Sequence, residues 1–232
     1  MSSINITDAI FAQAAARPDA VAVIDGDRAV SYRAFCGAVV DLAEQFAANG
    51  WAEGDIVGVC LRSGAFSQLR TAVALALIGV PQTTLSPVDP PALLRARMLR
   101  MGVQALVCDH AELDDIGVAV FRPSSASPEP SGAGVRTGIR QNGGDRLWIV
   151  GESSGTTGEP KLIGVSHRVE DAHGRRQALV LGYREGERFV NLTGLRFLTG
   201  IKRALRCLAE GGCVTFPPDG LDAVSLETES GS

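Results

Sequence analysis

A chain of 232 residues is long enough for one sizeable domain or two small ones. With 45% apolar and 21% charged residues it has the make-up of a globular protein, which excludes a collagen-like or wholly disordered chain. A formal net charge of −4 argues against nucleic acid or an anionic membrane surface as a partner. Cys36, Cys60, Cys108, Cys207 and Cys213 are widely spaced in apolar contexts. No Cys-x-x-Cys pair or His-rich neighbourhood suggests zinc, so they read as buried reduced thiols and no metal site is expected. The start lacks a basic, apolar secretion signal, and the longest apolar run, Ala72 to Val80, is too short to span a bilayer. The expectation is a soluble, cytoplasmic chain without membrane partners.

Taken in order, Ile6 to Ala16 has a helical pattern, with Thr7 as N-cap and Arg17-Pro18 as the stop. Ala20 to Ile24 and Ala29-Val30 form a hairpin through Asp25-Gly26-Asp27. Ser31 caps an amphipathic helix whose apolar residues, among them Phe35, Val39, Leu42 and Phe46, recur at helical spacing until Asn49-Gly50. A strand over Asp55 to Leu61 comes next. A very apolar helix then opens at Ser63-Gly64 and stops at Gly79. Pro81 to Leu85 is a strand, Pro90-Pro91 start a helix to Met101, and Gln104 to Asp109 and Val118 to Phe121 are strands. Strands alternating with helices predict an α/β fold with mainly parallel sheets flanked by helices.

Residues 122–145 are rich in Pro, Ser and Gly and read as a loop or linker between a first α/β subdomain, 1–121, and a second segment, 146–216. In that second segment Leu147 to Val150 is a strand and Leu162 to Val165 another. Ser166 then caps a helix to Leu181, Arg188 to Leu192 is a strand, Leu195 to Glu210 a helix and Cys213 to Phe216 a strand. Residues 217–232 form a polar tail. His110 and His173 have no partner pattern and read as surface residues.

Between the strands at 147–150 and 162–165 lies Gly151-Glu152-Ser153-Ser154-Gly155-Thr156-Thr157-Gly158-Glu159-Pro160-Lys161. Glycines allow positive φ and close approach to a ligand, and successive amides in such a bend make an anion nest. Hydroxyls add donors and Lys161 adds a point charge, one of only two lysines in the chain. This is chemistry for a polyphosphate. It is not a P-loop, because Glu159-Pro160 separate Gly158 from the lysine and a strand, not a helix, comes after it, so the arrangement is strand–loop–strand.

The stretch from Ser153 to Lys161, with Ser166-His167 at the expected spacing, resembles the phosphate-binding signature of the adenylate-forming (AMP-binding) superfamily: acyl-CoA synthetases, adenylation domains of peptide synthetases and firefly luciferase. Val30-Ser31-Tyr32-Arg33, Gly54-Asp55-Ile56-Val57 and Gly79-Val80-Pro81 match the family's N-terminal order. The resemblance implies the front part of the family's large N-terminal domain. It also implies a reaction in which a carboxylic acid attacks the α-phosphate of ATP, with Mg²⁺, to give an acyl-adenylate and pyrophosphate. A thiol of coenzyme A or a carrier protein then takes the acyl group. Ser153, Ser154, Thr156 and Thr157 would donate hydroxyl bonds to the phosphates, Gly155 and Gly158 would let the backbone close in, and Lys161 would offset charge. His167 fits the signature's terminal histidine and equally a first-turn helix residue. Gly194-Leu195-Arg196-Phe197 fits a wall of the acyl pocket and equally the start of a core helix.

Two positions depart from the pattern. Glu152 replaces an aromatic or small residue beside the phosphates, where a facing carboxylate would weaken binding by about 1–4 kcal/mol at 4 Å. Alternation along the strand would turn it to the face opposite Ser153. Leu162 replaces a glycine. Nothing after Phe216 resembles the family's adenine-contacting segment, its ribose-binding Thr-Gly-Asp or its C-terminal catalytic lysine. The expected activity is that of a shortened adenylate-forming ligase with weak ATP binding and no complete catalytic set. The alternative is a non-catalytic remnant of the fold acting as a binding or regulatory partner, completed by another polypeptide.

Overall fold

In the computed structural model, residues 5–51, 54–123, 143–153 and 161–217 are described. The elements in chain order are α1 (Asp8–Ala16), β1 (Val21–Asp25), β2 (Arg28–Ser31), α2 (Tyr32–Ala47), β3 (Ile56–Cys60), α3 (Ala65–Leu77), β4 (Gln82–Thr84), α4 (Pro91–Met101), β5 (Val103–Cys108) and β6 (Ala119–Phe121). Then come β7 (Leu147–Ser153), β8 (Lys161–Ser166), α5 (His167–Leu181), β9 (Arg188–Val190), α6 (Leu198–Ala209) and β10 (Cys213–Phe216). A 3-10 turn, Ala111–Leu113, comes after β5 and has no signal in the sequence pattern.

Local chemistry fixes most boundaries. Ser31 Oγ accepts the Ala34 amide at 3.2 Å and starts α2, and Ser166 Oγ does the same for Val169 at 3.3 Å to start α5. Gly102, at φ +68°, closes α4 in the left-handed region that glycine enters without cost. Thr7 stands at the N-cap of α1 but makes no cap bond. Its hydroxyl donates instead to Asn5 Oδ1 at 2.8 Å, while Asn5 Nδ2 donates to the Ala76 carbonyl at the end of α3. The helix expected from Leu195 begins at Leu198, because Gly194 at φ +74° ends the preceding extended segment and Phe197 sits extended at the N-cap.

The sheets are β2-β1-β10-β9, mostly parallel, and β6-β5-β3-β4-β7-β8, parallel except for the β7–β8 hairpin. The division expected at 122–145 separates neither sheet. β1 pairs with β10 and β4 with β7, so each sheet takes strands from both sides of it. The physical reason is that β7 carries buried Trp148, Ile149 and Val150 on both its faces, and such a strand needs neighbours and cover that only the larger sheet supplies.

Helix α3 touches β1 of the smaller sheet and β3 and β4 of the larger one. Lying between two sheets, it has no solvent side, which is why Leu69 to Leu77 is buried throughout. Asp25, at the end of β1, accepts the Phe66 amide at 2.9 Å and so caps α3, whose own N-cap is the side-chain-free Gly64. On the other face of the larger sheet α4 packs through Leu94, Met98 and Met101 against Cys60, Leu106 and Cys108. The order of layers is therefore small sheet, helices, large sheet, α4.

Candidate functional site

The Ser/Thr/Gly-rich stretch connects β7 to β8. In the register of this antiparallel pair Glu152 faces Leu162 and Ser153 faces Lys161, so a seven-residue connection, 154–160, begins and ends at one paired position. The strand–loop–strand arrangement is as expected. Ser153 is the last residue of β7, and Lys161 the first of β8 with its side chain exposed. Ser154, Gly155, Thr156, Thr157 and Gly158 lie outside the described residues. Leu162 causes no strain, since among the described residues no side-chain-bearing residue has positive φ.

Glu152 has partners that the sequence does not announce. Its side chain is 14% exposed, and its carboxylate lies 3.2 Å from Arg97 Nε and is also bonded by Arg100, both on α4. Arg97 in turn holds Asp89 at 2.8 Å. Glu152 thus points to the α4 face, and two guanidinium groups neutralise it there. The signal is available in principle: Arg97 and Arg100, three apart, share one side of a helix.

His167 is placed differently from a ligand-facing side chain. It is the first residue of α5 and only 1% exposed. Its Nδ1 accepts the Ile6 amide at 3.3 Å, which puts the ring proton on Nε2 and ties the segment before α1 to the start of α5. Burial, with Arg146 nearby, lowers its pKa to about 4, so the ring is neutral at pH 7. Here the helix-start reading describes the geometry, because the ring is enclosed by the core.

At the foot of the hairpin, where β4 and β7 diverge after their single paired position, a cleft of about 120 Å³ opens. Thr83, Thr84, Arg97, Glu152, Arg196 and Phe197 are among its walls. Thr84 Oγ1 donates to the Arg196 carbonyl at 3.1 Å and fixes that wall. Of the segment that reads as either pocket or core, Leu195 is core while Arg196 and Phe197 border the cleft. Gly151 and Glu152, just before the 154–160 connection, also line this cleft.

The family model described as AMP-binding enzyme matches residues 10–228. The chain belongs to the AMP-binding enzyme family. Among similar proteins, the isonitrile lipopeptide synthase of Streptomyces coeruleorubidus is 29% identical over 210 residues, covering 89% of this chain. The chain spans only 14% of that synthase. The crystal structure of the nonribosomal peptide synthetase FmoA3 superposes with a TM-score of 0.79 at 22% identity, over 95% of this chain and 23% of that one, and FmoA3 is also known in an AMPPNP-bound form. The Klebsiella oxytoca NpsA N-terminal subdomain, solved with 3-hydroxyanthranilyl-AMSN, gives a TM-score of 0.76 at 22% identity, over 99% of this chain and 57% of that one. The chain thus has the fold of the front part of such a subdomain. Among its described residues no helix is long and apolar enough to cross a membrane.

Proposed function

We propose that this AMP-binding chain supplies the phosphate-gripping part of an adenylate-forming ligase, in which ATP activates a carboxylic acid to an acyl-adenylate. The observation that carries the reading is the Ser/Thr/Gly connection held shut at its base by the Ser153–Lys161 pair. Ser153, Ser154, Thr156 and Thr157 donate to the β- and γ-phosphates, Gly155 and Gly158 admit the backbone, and Lys161 offsets the charge of the departing pyrophosphate. Hydroxyls, amides and one ammonium are in sequence at the loop beside the Glu159 carboxylate, and the Glu152 carboxylate at its base is tied to Arg97 and Arg100 and does not oppose the anion. Mg²⁺ bound to the phosphates would add further charge neutralisation. Phosphoryl chemistry of this kind needs positioning more than a protein nucleophile. His167 acts at one remove, by fixing the start of α5 behind β8.

The acid sits toward the cleft beside Arg196 and Phe197, which Gly151 and Glu152 also line. A carrier-protein thiol is the acceptor we favour over coenzyme A, because the similar synthase is a far longer chain of which this segment matches a small share. The remaining parts of the catalytic set come from polypeptide beyond the matched segment, in the same or another chain.

Calorimetric titration with MgATP tests the grip. Lys161→Ala is expected to weaken binding at least about tenfold, the scale of one charge-assisted bond. Equal heats for the two proteins would remove the loop from the reaction. ATP–pyrophosphate exchange with a panel of carboxylic acids, with and without candidate partner chains, then tests the ligase chemistry itself.

A further inference from the structure

The larger sheet has a second ligand-competent position, remote in sequence from the hairpin. From β3 the chain passes through α3 to β4 on one side, then returns through α4 to β5 on the other side. The two helices lie on opposite faces: α3 shares a core with Val57 and Val59, α4 with Cys60 and Cys108. Connections that diverge from neighbouring parallel strands leave a crevice beyond the strands' carboxyl ends, where open α/β sheets receive ligands. Those strands here are β3 and β5, paired through to Cys60 and Cys108.

At that edge Cys108, Asp109 and His110 bring three donor atoms within 4.8 Å of one another. Cys108 Sγ is 3.3 Å from His110 Nδ1, which is 3.2 Å from Asp109 Oδ1. His110 is not the surface residue expected from the sequence: its side chain is 9% exposed, while that of Asp109 is 21% exposed and opens the cluster to solvent. Asp109 is oriented by neutral partners, its oxygens accepting the amides of Arg62 at 2.9 Å and Ser63 at 2.7 Å. The nearby guanidinium groups are already neutralised, Arg62 by Glu112 and Arg122 by Asp114.

We propose that Cys108, Asp109 and His110 bind a thiophilic divalent cation, Zn²⁺, in the crevice between β3 and β5. A thiolate, an imidazole and a carboxylate are a zinc donor set that leaves the fourth tetrahedral position to water. On binding, the Cys108 S–H bond breaks, its proton passes to solvent and an S–Zn bond forms. The Nδ1–H of His110, which donates to Asp109 Oδ1 at 3.2 Å, gives its proton to solvent while Nε2 takes one up, and the freed Nδ1 lone pair turns to the metal. The Asp109 carboxylate retains its two amide bonds, and the two negative ligands balance the cation. No change of oxidation state is involved.

The test is titration of the full chain, kept reduced, with Co²⁺ as the probe, read by thiolate-to-cobalt charge-transfer absorption and reversed by Zn²⁺. One equivalent should produce the band, Cys108→Ser should abolish it, and His110→Ala should weaken Co²⁺ binding at least about tenfold. Because Cys108 lies in the core, circular dichroism accompanies each variant, and the better-exposed His110→Ala decides where Cys108→Ser fails to fold. On the wild-type chain the His110 ring signals in NMR should shift with one equivalent of Zn²⁺. No cobalt band, a band of unchanged affinity in His110→Ala, or unmoved His110 signals would overturn the site.

Discussion

Helix α3 and strand β8 are both written in apolar residues, yet they meet opposite surroundings. In α3, Leu69, Val73, Leu75 and Leu77 are enclosed between two sheets, whereas in β8 Leu162 and Ile163 are each 45% exposed. Adjacent strand residues face opposite sides, so the outer half of β8 is open on both faces, and it is the edge strand of its sheet. Apolar character therefore reports what a segment can bury; layer order decides what it does bury. Burial is continuous in the helical layer, while β8 runs from a buried end at Val165 to an open edge at Leu162 and Ile163.

The sharpest way to break this contrast is to empty one position of α3. Leu75→Ala should cost about 4 kcal/mol, the scale of a fully buried leucine, in urea denaturation; a loss below about 1 kcal/mol would mean that the inter-sheet layer is not the core. Next comes the joint between the two regions. With the folded His167 near 4 and an exposed histidine near 6.5, the unfolded chain binds more protons between those values. Stability should thus fall by up to about 3 kcal/mol as pH drops from about 6.5 toward 4, and His167→Gln should flatten that slope. An unchanged slope in the variant assigns the titration elsewhere.

A smaller effect is expected where α4 meets the hairpin. Glu152→Ala leaves Arg97 and Arg100 facing each other and should cost about 1–2 kcal/mol, with a double-mutant cycle against Arg97→Ala giving coupling of about 1 kcal/mol. Zero coupling would leave the carboxylate free to face the phosphates. Smallest of all, Leu162→Ser at the open edge should change stability by no more than about 0.5 kcal/mol. A loss comparable to that of Leu75→Ala would show β8 to be covered in solution.

Much of the fold is legible residue by residue. Ser31 and Ser166 signal helix starts, Gly102 a helix end, and the pair of apolar strands around Gly151–Lys161 a strand–loop–strand, because each depends on neighbours a few residues away. The candidate site is legible only as a set of residue types. Its loop residues declare their chemistry, but the carboxylate at 152 reads as a hazard until the fold brings Arg97 and Arg100 beside it from more than fifty residues back in the chain. The contact of His167 with Ile6 escapes sequence reasoning because the two stand far apart along the chain, whereas His110 meets its own neighbours Cys108 and Asp109 and only the burial of that edge is hidden.

By itself, the sequence determined most of the elements, the Ser31 and Ser166 caps and the family, since propensity, capping and a contiguous motif are short-range properties. The tertiary structure alone decided that strands from both ends of the chain share each sheet, that α3 lies between the two, and which charges are neutralised at the loop base. Those outcomes depend on which surfaces meet after collapse, and burial acts between residues near in space however far apart they stand along the chain.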